Sequence, residues 1–376
     1  MGQKSGHPEE NRYLRLDDYQ TLTWERKEES KKDLERVSKQ LEEILGMADL
    51  RNGAVGLYNI GLSCCVNSLL QSFLMNRYFT MILRRIKIPF GAAEQKVHVP
   101  YQMLLLLEQM QRAKGNSVYP CNLLSCLSHH GITLFVLRDA SELYCKLWNL
   151  IKDQITNTDL VEKLTLLYTI HLHQLLVCQK CFSETKIDSN QLMLHLPMLD
   201  FDSHPIRTLE NSLRCFFRPE ELTKANMCHC EQCDKKTTHL QGTKIMYLPQ
   251  TLTLHLMRFC SKEGSRTKKI RHSLDFPQTL DFSQILTPEQ YHPDAKKKSD
   301  GLYDLFAVVA HSGPADFGHY CAYIWSLSEH KWYCFNDSSV CEVSWDDVKC
   351  TYGRASLCWG ETAYLLIYMR RNGRSF

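Results

Sequence analysis

Three separated stretches carry residue types that together could cut an acyl bond through a thiolate. In Gly56-Leu57-Tyr58-Asn59-Ile60-Gly61-Leu62-Ser63-Cys64-Cys65-Val66-Asn67-Ser68-Leu69-Leu70-Gln71-Ser72-Phe73, two glycines set a turn and Ser63 can cap, while Val66, Leu69, Leu70 and Phe73 recur at helical spacing. The spacing predicts a helix opening at Cys64, where unpaired N–H groups and the positive end of the helix dipole favour a thiolate, the reactive form of cysteine. Two small buried cysteines in an ordinary core helix would read the same way, so the partners must decide.

Those partners lie far down the chain. His311-Ser312-Gly313-Pro314-Ala315-Asp316-Phe317-Gly318-His319-Tyr320-Cys321-Ala322-Tyr323 is a glycine-rich loop leading into an alternating aromatic strand, and Lys331 to Val340 is a second strand ending in short polar residues. A thiol nucleophile needs a base to take its proton and an amide or carboxylate to hold the imidazole, and Cys64, His319 and Asn336 or Asp337 occur in that order. His319 and Asn336 are 17 residues apart, which suits neighbouring antiparallel strands joined by a polar turn.

A second chemistry is written in Cys178-Gln179-Lys180-Cys181 and Cys230-Glu231-Gln232-Cys233, two knuckles with 48 residues between them. Four thiolates so arranged match a closed tetrahedral structural zinc site, in which the ion helps to fold a region with little core of its own. Cys228, one residue before His229, is an alternative ligand.

These groups need a frame. From Leu57 to Tyr168 the pattern is helical, with leucine-rich segments at Tyr101 to Gln111 and Leu143 to Ile155. Beyond Lys235 it turns to strands at Thr251 to Phe259, Leu305 to Ala310, His319 to Ile324 and Tyr364 to Tyr368. His255 lies on one of these strands and reads either as a contact residue or as a sheet-face histidine. The basic run Arg266 to Arg271 reads as a solvated loop, as does the polar stretch Thr287 to Gly301. Residues 1–52 differ: a dense charge run from Glu25 to Glu43, with Leu34, Val37, Leu41 and Leu45 at helical spacing, predicts a charged appendage that is partly helical or disordered.

Bulk properties narrow the class. With 376 residues, 44% of them hydrophobic, the chain can bury a large core in one extended domain or several subdomains. The longest apolar run, Met103 to Leu107, is far short of the ~20 residues of a membrane span, so membrane insertion is not expected. No secretory segment opens the chain, so 17 cysteines read as reduced thiols and metal ligands in the cytoplasm, with the nucleus as a second compartment. A net charge of +3 is too mild to predict nucleic-acid binding.

The residues around Cys64 and His319 resemble the ubiquitin-specific protease family of papain-like cysteine hydrolases. Its cysteine box reads Gly-Leu-x-Asn-x-Gly-Asn-Thr-Cys-Tyr-x-Asn-Ser-x-Leu-Gln and its histidine box His-x-Gly-x-x-x-x-Gly-His-Tyr; the match runs from about Val55 to Met369. The resemblance implies an α+β fold with a helical thumb (about 53–168), zinc-tipped β fingers (about 169–245) and a β-sheet palm (about 246–370). It implies an isopeptidase in which Cys64 is the nucleophile, His319 the base and acid, Asn336 the residue orienting His319, Asp337 a supporting or oxyanion-side group and Asn59 an oxyanion donor. Leu137-Arg138-Asp139-Ala140-Ser141-Glu142-Leu143 resembles a family segment whose acidic residue grips the basic tail of the modifier, which makes Asp139 a substrate-binding candidate beside His255; a helix-capping aspartate is the alternative. Leu62 and Leu137 depart from the family's asparagine and glutamine.

Cys65, the Cys334-Phe335-Asn336-Asp337-Ser338 run and Asp281 to Leu286 look most like the branch acting on an interferon-stimulated, two-domain ubiquitin-like modifier. Partners expected on that resemblance are the modifier, its protein conjugates and the type I interferon receptor complex, with the chain itself a monomer. A general deubiquitinase and a signalling scaffold with dispensable catalysis are the alternatives.

Overall fold

Helix starts in the first half of the chain are set by short polar side chains. The computed structural model describes residues 54–113, 117–133, 139–260, 267–292, 301–353 and 360–371. The expected appendage at 1–52 lies outside these residues, as do Leu137 and 293–300 of the polar stretch. The thumb is built from α1 (Cys64–Leu74), α2 (Arg77–Leu83), α3 (Ala92–Val97), α4 (Val99–Arg112), α5 (Cys121–His129), α6 (Ala140–Gln154) and α7 (Thr158–Tyr168). Asn76, Asp139 and Asn157 each accept two first-turn amide hydrogens, and His98 Nδ1 accepts one with Pro100 beside it, so four helices begin where side chains satisfy otherwise orphaned donors.

Helix α1 is buried along its whole length, polar residues included. Phe73 packs against Phe79, Tyr144 and Tyr168 on the thumb side, at centroid separations of 5.1–5.7 Å, while the helix also lies against the palm. Its buried Gln71 donates to Val55 O at 2.8 Å, tying the preceding strand-like segment to the helix. The element carrying Cys64 is therefore held from both sides.

The fingers are a four-stranded sheet in the order β2-β1-β7-β4, from β1 (Ile170–Cys178), β2 (Glu184–Gln191), β4 (Glu220–Leu222) and β7 (His239–Tyr247). A small hairpin of β5 (Cys228–Cys230) and β6 (Lys235–Thr237) sits beside it. The palm runs β15-β14-β13-β12-β16-β8-β3, from β3 (Leu194–Leu196), β8 (Thr251–Leu256), β12 (Leu302–Ser312), β13 (His319–Ser326), β14 (Lys331–Asn336), β15 (Ser339–Val343) and β16 (Thr362–Arg370), with β11 (Thr279–Asp281) also on β12. Among the described residues, β3 and β8 alone pair in parallel within this sheet. This is the papain-like α+β architecture of thumb, fingers and palm expected from the resemblance. No helix of the described residues is long and apolar enough to cross a membrane.

Two sequence expectations change. Thr251 to Phe259 is not one alternating strand: β8 is buried at every position and stops at Leu256, and Phe259–Cys260 (β9) belongs to a separate two-stranded ribbon. A strand covered on both faces need not alternate. The break is held by Arg258, fully buried, whose guanidinium donates to the carbonyls of Ala363 (2.8 Å), Ile270 (3.1 Å) and His272 (2.9 Å). The basic run is not a solvated loop either: Lys268–Lys269 (β10) pairs with β9, and Lys269 donates to His311 O at 2.7 Å. Burial, aided by Arg258 and Arg271, pushes the Lys269 ammonium down to about 8.

Candidate active site

The cysteine loop is shaped before the helix begins. Leu57 bridges to Val118, and its N–H donates to Asp337 O at 2.9 Å, which seats the loop against the β14–β15 hairpin. Gly56 is required by that approach, since a Cβ there would stand 2.6 Å from Ser338 O. Ser63 occupies the residue before α1 but does not cap it: its hydroxyl accepts from Ile60 N–H (2.9 Å) and lies 3.2 Å from Asn59 Oδ1. Cys64 is the first helical residue and only 3% exposed, so the first-turn amides carry no side-chain cap beside its sulfur.

His319 opens β13, after a loop whose glycines are sterically demanded. Gly313 has φ +87°, and a Cβ on Gly318 would fall 1.9 Å from His311 Nε2. The His319 ring donates through Nε2–H to Asn336 Oδ1 at 2.6 Å, and the Cys64 side chain is near enough to act on the ring's charge. Strands β13 and β14 are antiparallel neighbours with Ala322 opposite Phe335, which puts Asn336 at the end of β14 near the start of β13. With Nε2 engaged, Nδ1 is the nitrogen left for the thiol, the tautomer a base would need. Cys64 is the largest influence on the ring; with help from Asn336 and Asp337 and against burial, it pushes His319 up to about 9.

Asp337 does not share His319. Its φ is +50°, and its carboxylate turns the other way: Oδ1 accepts from Asn67 Nδ2 (2.7 Å) and Oδ2 from Asn59 Nδ2 (2.8 Å). Asn59 Oδ1 accepts in turn from Ser63 N–H at 3.2 Å. One of the two amide hydrogens of Asn59 is thus used and its plane is fixed. Asn67 had no role in the sequence reading, although three residues after Cys64 is the spacing that shares a helix face.

The two substrate-binding candidates lie together and face inward. Asp139 caps α6, Oδ1 accepting from Ser141 N–H (2.8 Å) and Glu142 N–H (3.3 Å), while Oδ2 accepts from the Tyr364 hydroxyl. Burial opposes its ionisation, but the bonds from Ser141 and Tyr364 hold the carboxyl below its usual range. The capping alternative is thus what the local geometry displays. His255, expected as a contact residue, is 8% exposed on a strand covered on both faces, its Nδ1 2.9 Å from His195 Nδ1 and its ring 4.8 Å from Tyr364. Burial pushes it down to about 4, in keeping with the sheet-face alternative. His311 is also buried, and burial beside Lys269 pushes it down to about 3.

At the tip of the fingers Cys178, Cys181, Cys230 and Cys233 gather with all four sulfurs within 4.8 Å of one another, and could hold a metal ion. Cys181 and Cys230 sulfurs are 3.5 Å apart, Cys178 and Cys233 sulfurs 4.0 Å. Cys228 stays outside, its thiol directed at Asn226 O.

The family description "Ubiquitin carboxyl-terminal hydrolase" matches residues 55–368. The chain belongs to this family. As a ubiquitin carboxyl-terminal hydrolase it is a cysteine-type enzyme, and the matched span contains the Cys64, His319 and Asn336 cluster and the thiol cluster of the fingers. It is 54% identical over 322 residues to Ubl carboxyl-terminal hydrolase 18 of Homo sapiens, covering 86% of each chain. The identity to the Mus musculus protein of that name is 53%, over 86% of this chain and 87% of the other. Ubiquitin carboxyl-terminal hydrolase 47 of Drosophila melanogaster is more distant, at 25% identity over 83% of this chain and 24% of its own.

Proposed function

We propose that this chain removes a ubiquitin-like modifier, the interferon-stimulated two-domain one, from lysine side chains of target proteins, and so restrains type I interferon signalling. The observation that carries the chemistry is His319 held between the Cys64 thiol and the Asn336 amide. In this reading His319 Nδ1 already holds the proton given up by Cys64, as its raised proton affinity favours, and the thiolate attacks the carbonyl of the modifier's terminal glycine. The free N–H of Asn59 and the Cys64 backbone N–H hold the developing oxyanion, where losing one donor typically costs ~3 kcal/mol of barrier. His319 then protonates the leaving lysine amine and activates the water that cleaves the thioester.

The modifier assignment leans on the 54% identity to a protein named for a ubiquitin-like substrate, against 25% to one named for ubiquitin. Initial rates on carboxyl-terminal amides of the two modifiers test it; equal or faster cleavage of ubiquitin would overturn it. We assign zinc to the finger thiols, because a tetrahedral ion with metal–sulfur distances of about 2.3 Å sets neighbouring sulfurs about 3.8 Å apart, a spacing bracketed by the observed 3.5 and 4.0 Å. The receptor complex as a partner, a monomeric state and a cytoplasmic and nuclear location complete the proposal, on the strength of the resemblance.

A further inference from the structure

Asn67 is a polar side chain in the middle of a core helix, 2% exposed. Its carbonyl oxygen is buried without a hydrogen-bond partner among the described residues. An apolar residue of similar size would fill the same space with no unsatisfied acceptor, so the amide must be explained by what its donor reaches. Nδ2 lies 3.4 Å from Leu57 O and from Tyr58 O, both on the cysteine loop, and 2.7 Å from Asp337 Oδ1. The last is the short, charge-assisted bond.

Asp337 is a junction that needs such an anchor. Its backbone is in the left-handed region, its carbonyl receives Leu57 N–H, and its second carboxylate oxygen receives the Asn59 amide. Left to rotate, the carboxylate could turn towards His319, which also feels its charge, and the Asn59 amide would lose its orienting acceptor. Fixed by Asn67, it presents one oxygen to Asn59 and leaves His319 to Asn336 alone. Ser63 N–H on Asn59 Oδ1 completes a ring of hydrogen bonds that starts and ends in the turn carrying Cys64.

We propose that Asn67 is a positioning residue: by pinning the Asp337 carboxylate it aims the Asn59 amide at the acyl oxygen, without itself touching substrate. This rests on the reading of Cys64 as nucleophile and Asn59 as oxyanion donor given above.

The test compares two reactions of the same thiol. Alkylation of Cys64 by iodoacetamide develops no oxyanion, whereas hydrolysis of a fluorogenic carboxyl-terminal amide of the modifier does. In Asn67→Ala and Asn67→Asp, kcat should fall about 10²-fold with KM within about threefold of wild type, because an oxyanion donor is lost to the transition state alone. Iodoacetamide labelling and its pH profile should stay within about threefold. Adding Asp337→Asn to Asn67→Asp restores a donor opposite an acceptor and should recover about tenfold in kcat. Should Asn67→Asp fail to fold, Asn67→Ala carries the comparison, with a thermal melt to verify folding. Wild-type kcat in either folded variant, or alkylation falling in step with kcat, would overturn the inference. A wild-type chain inert on every modifier amide would instead sink the hydrolase reading.

Discussion

His319 and Asn336 meet at 2.6 Å through Nε2 and Oδ1, on the neighbouring palm strands β13 and β14. The bond selects the Nε2–H tautomer and leaves the other ring nitrogen to the Cys64 thiol. Holding a base in one tautomer is worth a large factor when the alternative tautomer is unproductive.

Asn336→Ala should therefore lower kcat by about 10²-fold or more, with KM little changed. Asn336→Asp keeps an acceptor at the same place and should recover most of that loss. Steady-state kinetics on a modifier amide checks both, and an unaffected Asn336→Ala would mean that another group orients the ring.

The pH dependence follows from His319, pushed up to about 9 in the folded chain from an ordinary 6.5. A raised value means the folded state holds the proton more tightly, so this group's stabilisation is present in full below about 6.5 and is lost as pH rises through about 9. Replacing Cys64 by Ala removes the largest cause, and the His319 titration followed by NMR should move back towards the ordinary value. A titration unchanged by Cys64→Ala would break the proposed thiol–imidazole pair.

Metal analysis of the purified chain should find about one zinc per molecule. Cys181→Ser should lose it, and Cys228→Ser should keep it, since that thiol points to Asn226 O. A strong chelator should lower the melting temperature by loosening the fingers. Zinc lost on substitution of Cys228 would reassign the ligand set.

Arg258 holds the break between β8 and the β9–β10 ribbon. Arg258→Met keeps much of the side-chain volume but removes donors from three carbonyls in a buried site. We expect about 3 kcal/mol of destabilisation in urea unfolding, the scale of leaving such acceptors unpaired. A loss under about 0.5 kcal/mol would show that water serves these carbonyls as well as the guanidinium does.

Where an expectation failed, the reason was burial or rotation of a side chain. His255 could be read two ways because strand position says nothing about what lies against a side chain; here His195 of the neighbouring β3 and the Tyr364 ring do. Ser63 has the residue type of a cap, yet its hydroxyl is drawn to Ile60 and Asn59. The alternation sought in Thr251 to Phe259 is absent because both faces of β8 are enclosed.

By itself the sequence determined the order and types of the reacting groups, the helix that opens at Cys64, the pairing of the strands that carry His319 and Asn336, and the two cysteine knuckles. Each is a local pattern, readable because a turn, a helical period or a ligand spacing is set by a few neighbouring residues. Only the tertiary structure decided that Asp337 bonds to Asn59 and Asn67 instead of His319, that Asp139 also accepts from Tyr364, and that Lys269 is tied to His311. Many of these contacts join residues scores of positions apart, and a hydrogen bond is made or lost within a fraction of an ångström, a precision that no spacing along the chain encodes.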